Sequence, residues 1–318
     1  MERRGAGLPG RRGPRAARRP AGGTPAGVRF SAVVGDAVQH HTGGAGTAAG
    51  DGDAVSFAVR TAVVLAWSGL VAGYLVADRV AVLRGRTSWP SVRTASWLSG
   101  ALLGLVVSVG PVASAAGNSF TAHMAVHLVL GMLVPLLLVL GAPMTLVLRA
   151  VPVHAGRRLA GLAGSPPLRI LTHPVTALVL SIMPMALLYR DGSALALLHD
   201  PVAGPVLHVH FVASGALFAY AVVGVDPQPH RASVTLRAGA ILVSIAAHGM
   251  IAKHLYSLAG AAGMPDGTAG AAQLMYYGGD AVHALLLVVF CLQVYRRTGR
   301  AGRRAGASFS GSASGRVV

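Results

Sequence analysis

The chain has 318 residues, of which 53% are hydrophobic and 12% are charged, and its mean hydropathy is +0.59. Because soluble domains carry about a quarter charged residues, this composition excludes an ordinary soluble protein and indicates a multi-pass membrane protein. The formal net charge of +17 does not indicate a nucleic-acid partner, since aromatic residues make up only 5% of the chain and provide no stacking platform for bases. The single cysteine, Cys291, excludes an internal disulfide and a site of several thiolates.

Residues 1–59 are dominated by Arg, Gly, Pro and Ala, and this composition predicts a disordered N-terminal tail. Residues 298–318 predict a second, basic tail. Between them, residues 60–297 form a membrane domain with seven apolar stretches, each about long enough to cross a ~30 Å hydrocarbon core as a helix. We therefore predict an all-α fold, a polytopic bundle of seven transmembrane helices. The stretches are 61–83, 96–116, 121–148, 173–190, 203–225, 237–258 and 271–295.

Prolines interrupt two of these stretches. The third is long, and Pro135 and Pro143 predict a kink or an early end, because proline lacks the N–H that an interior helical position donates. The fourth stretch is the shortest and contains Pro184.

The distribution of arginine predicts how the bundle is oriented. Sixteen arginines follow one set of helix ends, whereas the opposite loops 117–122, 191–202 and 259–270 contain neither Arg nor Lys. Basic residues near membrane spans mark the cytoplasmic side. The C-terminus is therefore predicted to be cytoplasmic, and seven spans put the N-terminus outside. Residues 31–59, just before the first span, agree with this because they contain no Arg or Lys.

Histidines are the main polar signal of the membrane domain. Polar groups inside a bilayer are costly and are usually functional or paired. The predicted orientation puts eight of the thirteen histidines outside or in the outer part of the helices, namely His123, His127, His199, His208, His210, His248, His254 and His283.

Two histidine pairs favour a metal site. His123 and His127 are four residues apart, which on a helix puts both imidazoles on one face, about 6 Å apart. The alternative is two histidines at the polar headgroup boundary. His208 and His210 are two residues apart, which turns them about 200° away from each other, so that only one faces the bundle centre of a regular helix.

Deeper polar residues extend this set. His248 lies about 15 Å from the predicted outer end of its helix. Because it is this deep, we expect it to be either a metal ligand or a partner in a structural hydrogen bond. Tyr276, Asp280 and His283 share one helix face, where Asp280 either orients a metal-bound imidazole or pairs with Lys253. The thioether of Met124 and other outward methionines, combined with imidazole, suits copper, although methionine is also common packing material. Nothing resembles a catalytic triad, a phosphate loop or a carboxylate pair, so we expect no enzyme.

Several sequence blocks resemble the CtaG-type cytochrome c oxidase assembly factors, in matching order and spacing over roughly residues 60–297. The blocks are HMAVHLVLGMLVPLLLVLGAPMTLVLRA (123–150), HPVTAL (173–178), LHVHF (207–211), GVDPQP (224–229), AAHGMIAKHLY (246–256) and QLMYYGGD (273–280). Two positions depart from the family pattern: Val126 stands where Gln is frequent, and Leu188-Tyr189 stands where some members have Trp-His.

The resemblance implies a multi-pass protein of the bacterial plasma membrane that helps to mature haem–copper oxidases by delivering copper. Its expected partners are oxidase subunits within the lipid bilayer, and the sequence also permits a homodimer. The metal ligands are not implied by the resemblance. From topology we predict that Cu(I) binds transiently near the outer face to His123, His127, one of His208 and His210, and His248. The alternatives are a haem-binding b-type cytochrome, a proton or ion transporter, and a metal-free scaffold.

Overall fold

The computed structural model describes residues 45–192, 195–198, 200 and 202–313, and every regular element within these ranges is helical. His199, residues 1–44 of the predicted N-terminal tail and residues 314–318 of the predicted C-terminal tail lie outside these residues. The α-helices are α1 (Ala45–Leu83), α2 (Ser91–Ser108), α3 (Gly110–Asn118), α4 (Phe120–Leu128), α5 (Val134–Leu140), α6 (Pro143–Ala150), α7 (Val153–Ala163), α8 (Pro166–Leu171), α9 (Pro174–Leu188), α10 (Ala203–Val223), α11 (Val234–Ser257) and α12 (Thr268–Ala313).

Five segments are long and apolar enough to cross a membrane: Ala54–Leu83, Phe120–Leu140, Ala203–Val223, Val234–Ser257 and Thr268–Thr298. Helices α2 and α3, which meet at a bend of 52°, together provide a sixth. The fourth predicted stretch forms α9, whose 15 residues are fewer than the roughly 20 that a spanning helix needs. The architecture is therefore all-helical with five or six candidate spans, compared with the seven that the sequence predicted.

The first and last helices are longer than the sequence predicted. α1 begins at Ala45, inside the segment predicted to be a tail, and α12 continues to Ala313, inside the predicted C-terminal tail.

The prolines of the third stretch act as predicted. α4 is followed by a π-helical turn over Val129–Leu133, and Pro135 lies in the first turn of α5, where its missing N–H is tolerated. The span ends at Leu140, and Ala142 adopts a left-handed conformation with φ of 52° before α6 begins at Pro143. The predicted long helix is therefore divided into three.

Contacts between loops gather the arginine-rich helix ends at one end of the bundle, which we call the basic end. Arg149 donates hydrogen bonds to the carbonyl oxygen (2.5 Å) and hydroxyl (3.1 Å) of Thr87, and its guanidinium lies 5.1 Å from the Trp89 ring centroid. Arg297 donates to the carbonyl oxygen of Gly224 at 3.1 Å. The loop that precedes α2 therefore contacts α6, and the loop that precedes α11 contacts the last span.

The remaining loops meet at the opposite end. The Thr121 hydroxyl donates to the carbonyl oxygen of Gly267 at 3.3 Å, and His254 Nε2 lies 2.7 Å from the carbonyl oxygen of Arg190. α4, α9, α11 and α12 are thus joined at this end, which carries the N-termini of α4 and α10.

Buried charges at the basic end are engaged in hydrogen bonds. The Asp226 carboxylate, 4% exposed, accepts from the backbone N–H groups of Met144 (3.2 Å) and Thr145 (2.7 Å) and from the Thr145 hydroxyl (2.5 Å). These groups form the first turn of α6, where a carboxylate satisfies unpaired N–H groups and the positive end of the helix dipole.

Three arginines complete this arrangement at the C-terminus of α10. Arg231 and Arg237 donate to carbonyl oxygens of Val223 (3.1 Å) and Val222 (2.9 Å), and Arg297 reaches Gly224. Carbonyl groups at a helix C-terminus have no intrahelical partner and attract cations. Asp226 and these three arginines, which we call the polar clasp, connect α6, α10, α11 and α12.

Candidate metal-binding site between the helices

α4 carries His123 and His127 one helical turn apart, and both side chains are buried. The helix begins after Ser119, whose hydroxyl accepts the N–H of Ala122 at 3.4 Å. The Phe120 ring stacks on His123 with 6.2 Å between centroids. A spacing of four residues keeps both imidazoles on one face of α4, where His208 and Phe211 of α10 contact them.

His208 of α10 faces His123. α10 approaches closely because Gly215 lies against the carbonyl oxygen of Gly131, where a Cβ atom would overlap that oxygen. The ring centroids of His123 and His208 are 6.0 Å apart, and the ring planes are tilted by 33°. His208 Nε2 is buried and has no hydrogen-bond partner. The structure thus brings together one imidazole from each predicted pair.

His210 points to a different helix. Its Nε2 lies 3.1 Å from the carbonyl oxygen of Leu180 in α9, a distance at which an Nε2–H donates a hydrogen bond. Residues 208 and 210 therefore contact different neighbours, as expected for a spacing of two. His210 is engaged with backbone, and His208 is the member of the pair that reaches the other histidines.

Asp200 holds the start of α10. Its carboxylate accepts the backbone N–H groups of Val202 at 2.9 Å and Ala203 at 2.7 Å. These two hydrogen bonds lower the pKa of the Asp200 carboxyl below its ordinary value, because they favour the charged form. The helix that carries His208 is thereby capped one and a half turns before that residue.

His127 contacts a residue that the sequence analysis did not single out. Its Nε2 lies 3.3 Å from the Met185 sulfur of α9, whereas its Nδ1 is buried without a hydrogen-bond partner. The rings of Phe211 and Tyr189 pack edge-on against this imidazole at 4.7 and 6.0 Å between centroids. Met185 lies three residues before the C-terminus of α9, on the side of the bundle predicted to be outer, as Met124 does.

His248 and His283 are adjacent but differ in their hydrogen bonds. Their ring centroids are 5.4 Å apart, and both side chains are 3% exposed. His283 places Nε2 3.0 Å from the Ser244 hydroxyl and Nδ1 3.0 Å from the carbonyl oxygen of Gly279. Neither ring nitrogen of His248 has a partner. The His248 ring lies directly over Gly279, where a Cβ atom would overlap it.

The other predicted polar residues surround this pair. The Lys253 ammonium lies 5.4 Å from the Tyr276 ring centroid. Arg190–Asp191 is the one ion pair among the residues that the structure describes, so the alternative pairing of Lys253 with Asp280 is not formed there. Met124 is fully buried in an apolar cluster with Phe120, Tyr189 and Met275, which fits a packing role.

A cavity of about 50 Å³ lies between these groups, and we call it the central cavity. His127, Met185, His248, His283 and Ser244 contribute to its wall. Among the described residues, no three His, Cys, Asp or Glu side chains are grouped so that they could hold one ion. The predicted set of three or four imidazoles is therefore not assembled. Instead, His123 faces His208, and His127–Met185 and His248–His283 line the central cavity.

The model of the cytochrome c oxidase caa3 assembly factors matches residues 72–297. The chain belongs to this family. Uncharacterized proteins of Mycobacterium bovis and Mycobacterium tuberculosis are each 33% identical to it over 202 residues, which cover 61% of this chain and 30% of theirs. One of Mycobacterium leprae is 32% identical over 195 residues, 59% of this chain and 29% of that protein. The chain spans less than a third of the length of these relatives. No solved structure is detectably similar to it.

Proposed function

We propose that this caa3 assembly factor binds Cu(I) transiently near the outer membrane face and delivers it to the copper centre of a haem–copper cytochrome c oxidase. Family membership supports the oxidase context and the membrane location. In this proposal the chain is a metal carrier in the bacterial plasma membrane and catalyses no reaction. Its partners are oxidase subunits in the same bilayer.

The proposal places the basic end in the cytoplasm and counts α9 as a seventh crossing. α9 begins beside Tyr220, near the polar clasp, and ends next to Arg190, which contacts His254 at the opposite end. A 15-residue helix is about 22 Å long, so α9 reaches most of the way across the hydrocarbon core. With seven crossings and a cytoplasmic C-terminus, the N-terminus lies outside.

The facing imidazoles of His123 and His208 carry the proposal. A metal ion bound to one nitrogen of each ring, at about 2 Å per bond, separates the two ring centroids by about 6 Å. The observed separation is 6.0 Å, and His208 Nε2 has no competing partner. Two neutral nitrogen donors form an incomplete coordination shell, and an ion held in this way is easily passed to a site with more ligands.

A second cavity beside these imidazoles supports transfer within the membrane. It has a volume of about 500 Å³, and both His123 and His208 lie in its wall. The rest of the wall is mostly apolar and comes largely from α1, α3 and α10, with Trp67 and Arg60 among the lining residues. An ion that leaves the two imidazoles through this cavity stays between the helices.

Copper loading of two single variants tests the proposal. The full chain is purified in detergent, loaded with Cu(I) without oxygen, and analysed for copper per protein. His208→Ala is expected to lose one copper per chain. His210→Ala is the matched control because its imidazole contacts a backbone carbonyl of α9, and it is expected to retain the wild-type copper content.

Equal copper contents in the wild type and His208→Ala would remove His208 from the proposed site. A Soret absorption band in the purified protein, lost in either His123→Ala or His208→Ala, would favour the haem-binding alternative. In cells, oxidase activity in membranes is expected to fall with His208→Ala and to persist with His210→Ala.

A further inference from the structure

The central cavity contains polar atoms that have no structural role in the fold. His127 Nδ1 and both ring nitrogens of His248 are buried and lack hydrogen-bond partners. Leaving a buried polar group unpaired is costly, and native proteins pair more than nine in ten of them. Of these two rings, His248 has both nitrogens free beside the cavity, which indicates that the cavity receives a ligand that binds this ring.

We propose that the central cavity is a second Cu(I) site, in which His127, Met185 and His248 are the ligands. This inference rests on the proposed function, because it assumes that copper reaches the interior of the bundle. Its new elements are the thioether of Met185 and a location one helical turn below the pair formed by His123 and His208.

The distance between the first two donors fits a shared ion. Typical bonds of about 2.0 Å to an imidazole nitrogen and about 2.3 Å to sulfur, combined with the 3.3 Å between His127 Nε2 and the Met185 sulfur, give an angle at the ion of about 100°. This angle is close to that of a tetrahedral or trigonal site. His248 lines the same cavity and supplies a third donor without first breaking a hydrogen bond.

The donor chemistry and the cavity size select the ion. Two imidazoles and a thioether are neutral and soft, a set that suits Cu(I) better than Zn(II), Mg(II) or Ca(II). A volume of about 50 Å³ holds an ion but is well below the roughly 300 Å³ of a typical organic ligand site.

A nearby carboxylate offsets the charge of the ion. Asp280 lies on α12 close enough to His283 for their charges to interact, and His283 in turn contacts the ring of His248. Lys253 points towards Tyr276 and forms no ion pair with this carboxylate in the described residues. A carboxyl group beside the cavity lowers the cost of holding a cation within the membrane.

The two sites follow each other along α4. Residues 123 and 127 are separated by about 6 Å along the helix axis. An ion therefore passes from the pair His123–His208 to the central cavity over a distance of roughly one helical turn.

Copper stoichiometry and X-ray absorption of the full chain test the inference. The wild type is expected to bind two Cu(I) per chain, and Met185→Leu and His208→Ala one each. The sulfur scatterer at about 2.3 Å is expected in the wild type and in His208→Ala, and absent in Met185→Leu. Met183→Leu is the matched control, because Met183 is 53% exposed on the same helix and is expected to leave both readouts unchanged.

The outcomes separate this inference from the proposed function. If Met185→Leu keeps both ions and the sulfur scatterer, the central site is wrong and the outer pair stands. If His208→Ala changes nothing while Met185→Leu loses copper, the central site stands and the proposed outer pair is wrong. If the wild type binds no copper, both fail.

A second variant covers the case in which Met185→Leu does not fold. Gly279→Ala displaces the His248 ring, and it is expected to lower copper affinity about tenfold or more. Gly249→Ala is its control, because a Cβ there meets Tyr276 only at an ordinary distance of 3.5 Å. Equal copper affinities of these two glycine variants would contradict the role of His248.

Discussion

At the basic end, the carboxylate of Asp226 is 4% exposed and accepts three hydrogen bonds, whereas in the central cavity His248 is 3% exposed and makes none. Burial is therefore the same for these two side chains, but their hydrogen bonding is opposite. A buried polar group stabilises a fold only when its partners are present, since it otherwise loses its interactions with water without replacement. The polar clasp holds helices together, and the unpaired imidazoles retain binding capacity.

The largest expected effect is the loss of Asp226 from the polar clasp. Asp226→Ala leaves two backbone N–H groups and one hydroxyl of α6 without partners, and we expect it to lower the free energy of unfolding by about 3 kcal/mol. Thr145→Val is the control, because it removes one of the three hydrogen bonds and should cost about 1 kcal/mol. Thermal unfolding in detergent, followed by helical circular dichroism, measures both. Equal losses would show that the hydroxyl alone carries the interaction.

A smaller effect is expected at the periphery of the basic end. Arg149→Gln removes the hydrogen bonds to Thr87 and the contact with the Trp89 ring, which we expect to lower the free energy of unfolding by about 1 kcal/mol. Arg190→Gln provides the comparison at the opposite end. Its ion pair with Asp191 spans 3.3 Å, but the Arg190 side chain is 73% exposed, so the change should be below about 0.5 kcal/mol. The same unfolding measurement applies, and a larger loss for Arg190→Gln would contradict this ranking.

The features predicted correctly from sequence are those that follow from local geometry. Apolar length predicts five of the candidate spans as single helices, but the count of seven is not confirmed. Pro135 and Pro143 predict the division of the third stretch, because a missing N–H acts on its own helix. The spacing of four between His123 and His127 predicts a shared face. The spacing of two between His208 and His210 predicts that they contact different neighbours.

The remaining features depend on how separate helices are placed against one another, which the periodicity of a single helix does not contain. Met185 meets His127 only because α9 lies beside α4. His248 fits over α12 because Gly279 lacks a side chain. Lys253 faces Tyr276 rather than Asp280 because of how α11 lies against α12. The sequence thus singled out the imidazoles that lie near one another in the structure, but it did not separate His123–His208 from His248–His283, and it did not place Met185 beside His127.

The smallest expected effect on stability, and the most direct test of the comparison between the two regions, comes from two histidines of the central cavity. His248→Phe replaces an unpaired imidazole by an apolar ring and should leave the metal-free free energy of unfolding within about 0.5 kcal/mol of the wild type, or raise it. His283→Phe is the matched control: it removes the hydrogen bond between the imidazole and the Ser244 hydroxyl and the contact with the Gly279 carbonyl oxygen, and it should cost about 1 kcal/mol.

Cu(I) completes this measurement, because a ligand that binds only the folded state raises the unfolding temperature. With one central site per chain, adding Cu(I) should raise the unfolding temperature of the wild type more than that of His248→Phe. The variant is then at least as stable as the wild type without metal, but less stable with it. If instead His248→Phe destabilises the metal-free protein as much as His283→Phe, then the His248 ring is held by interactions equivalent to those of the polar clasp. The difference between the two regions would then lie in packing rather than in retained binding capacity.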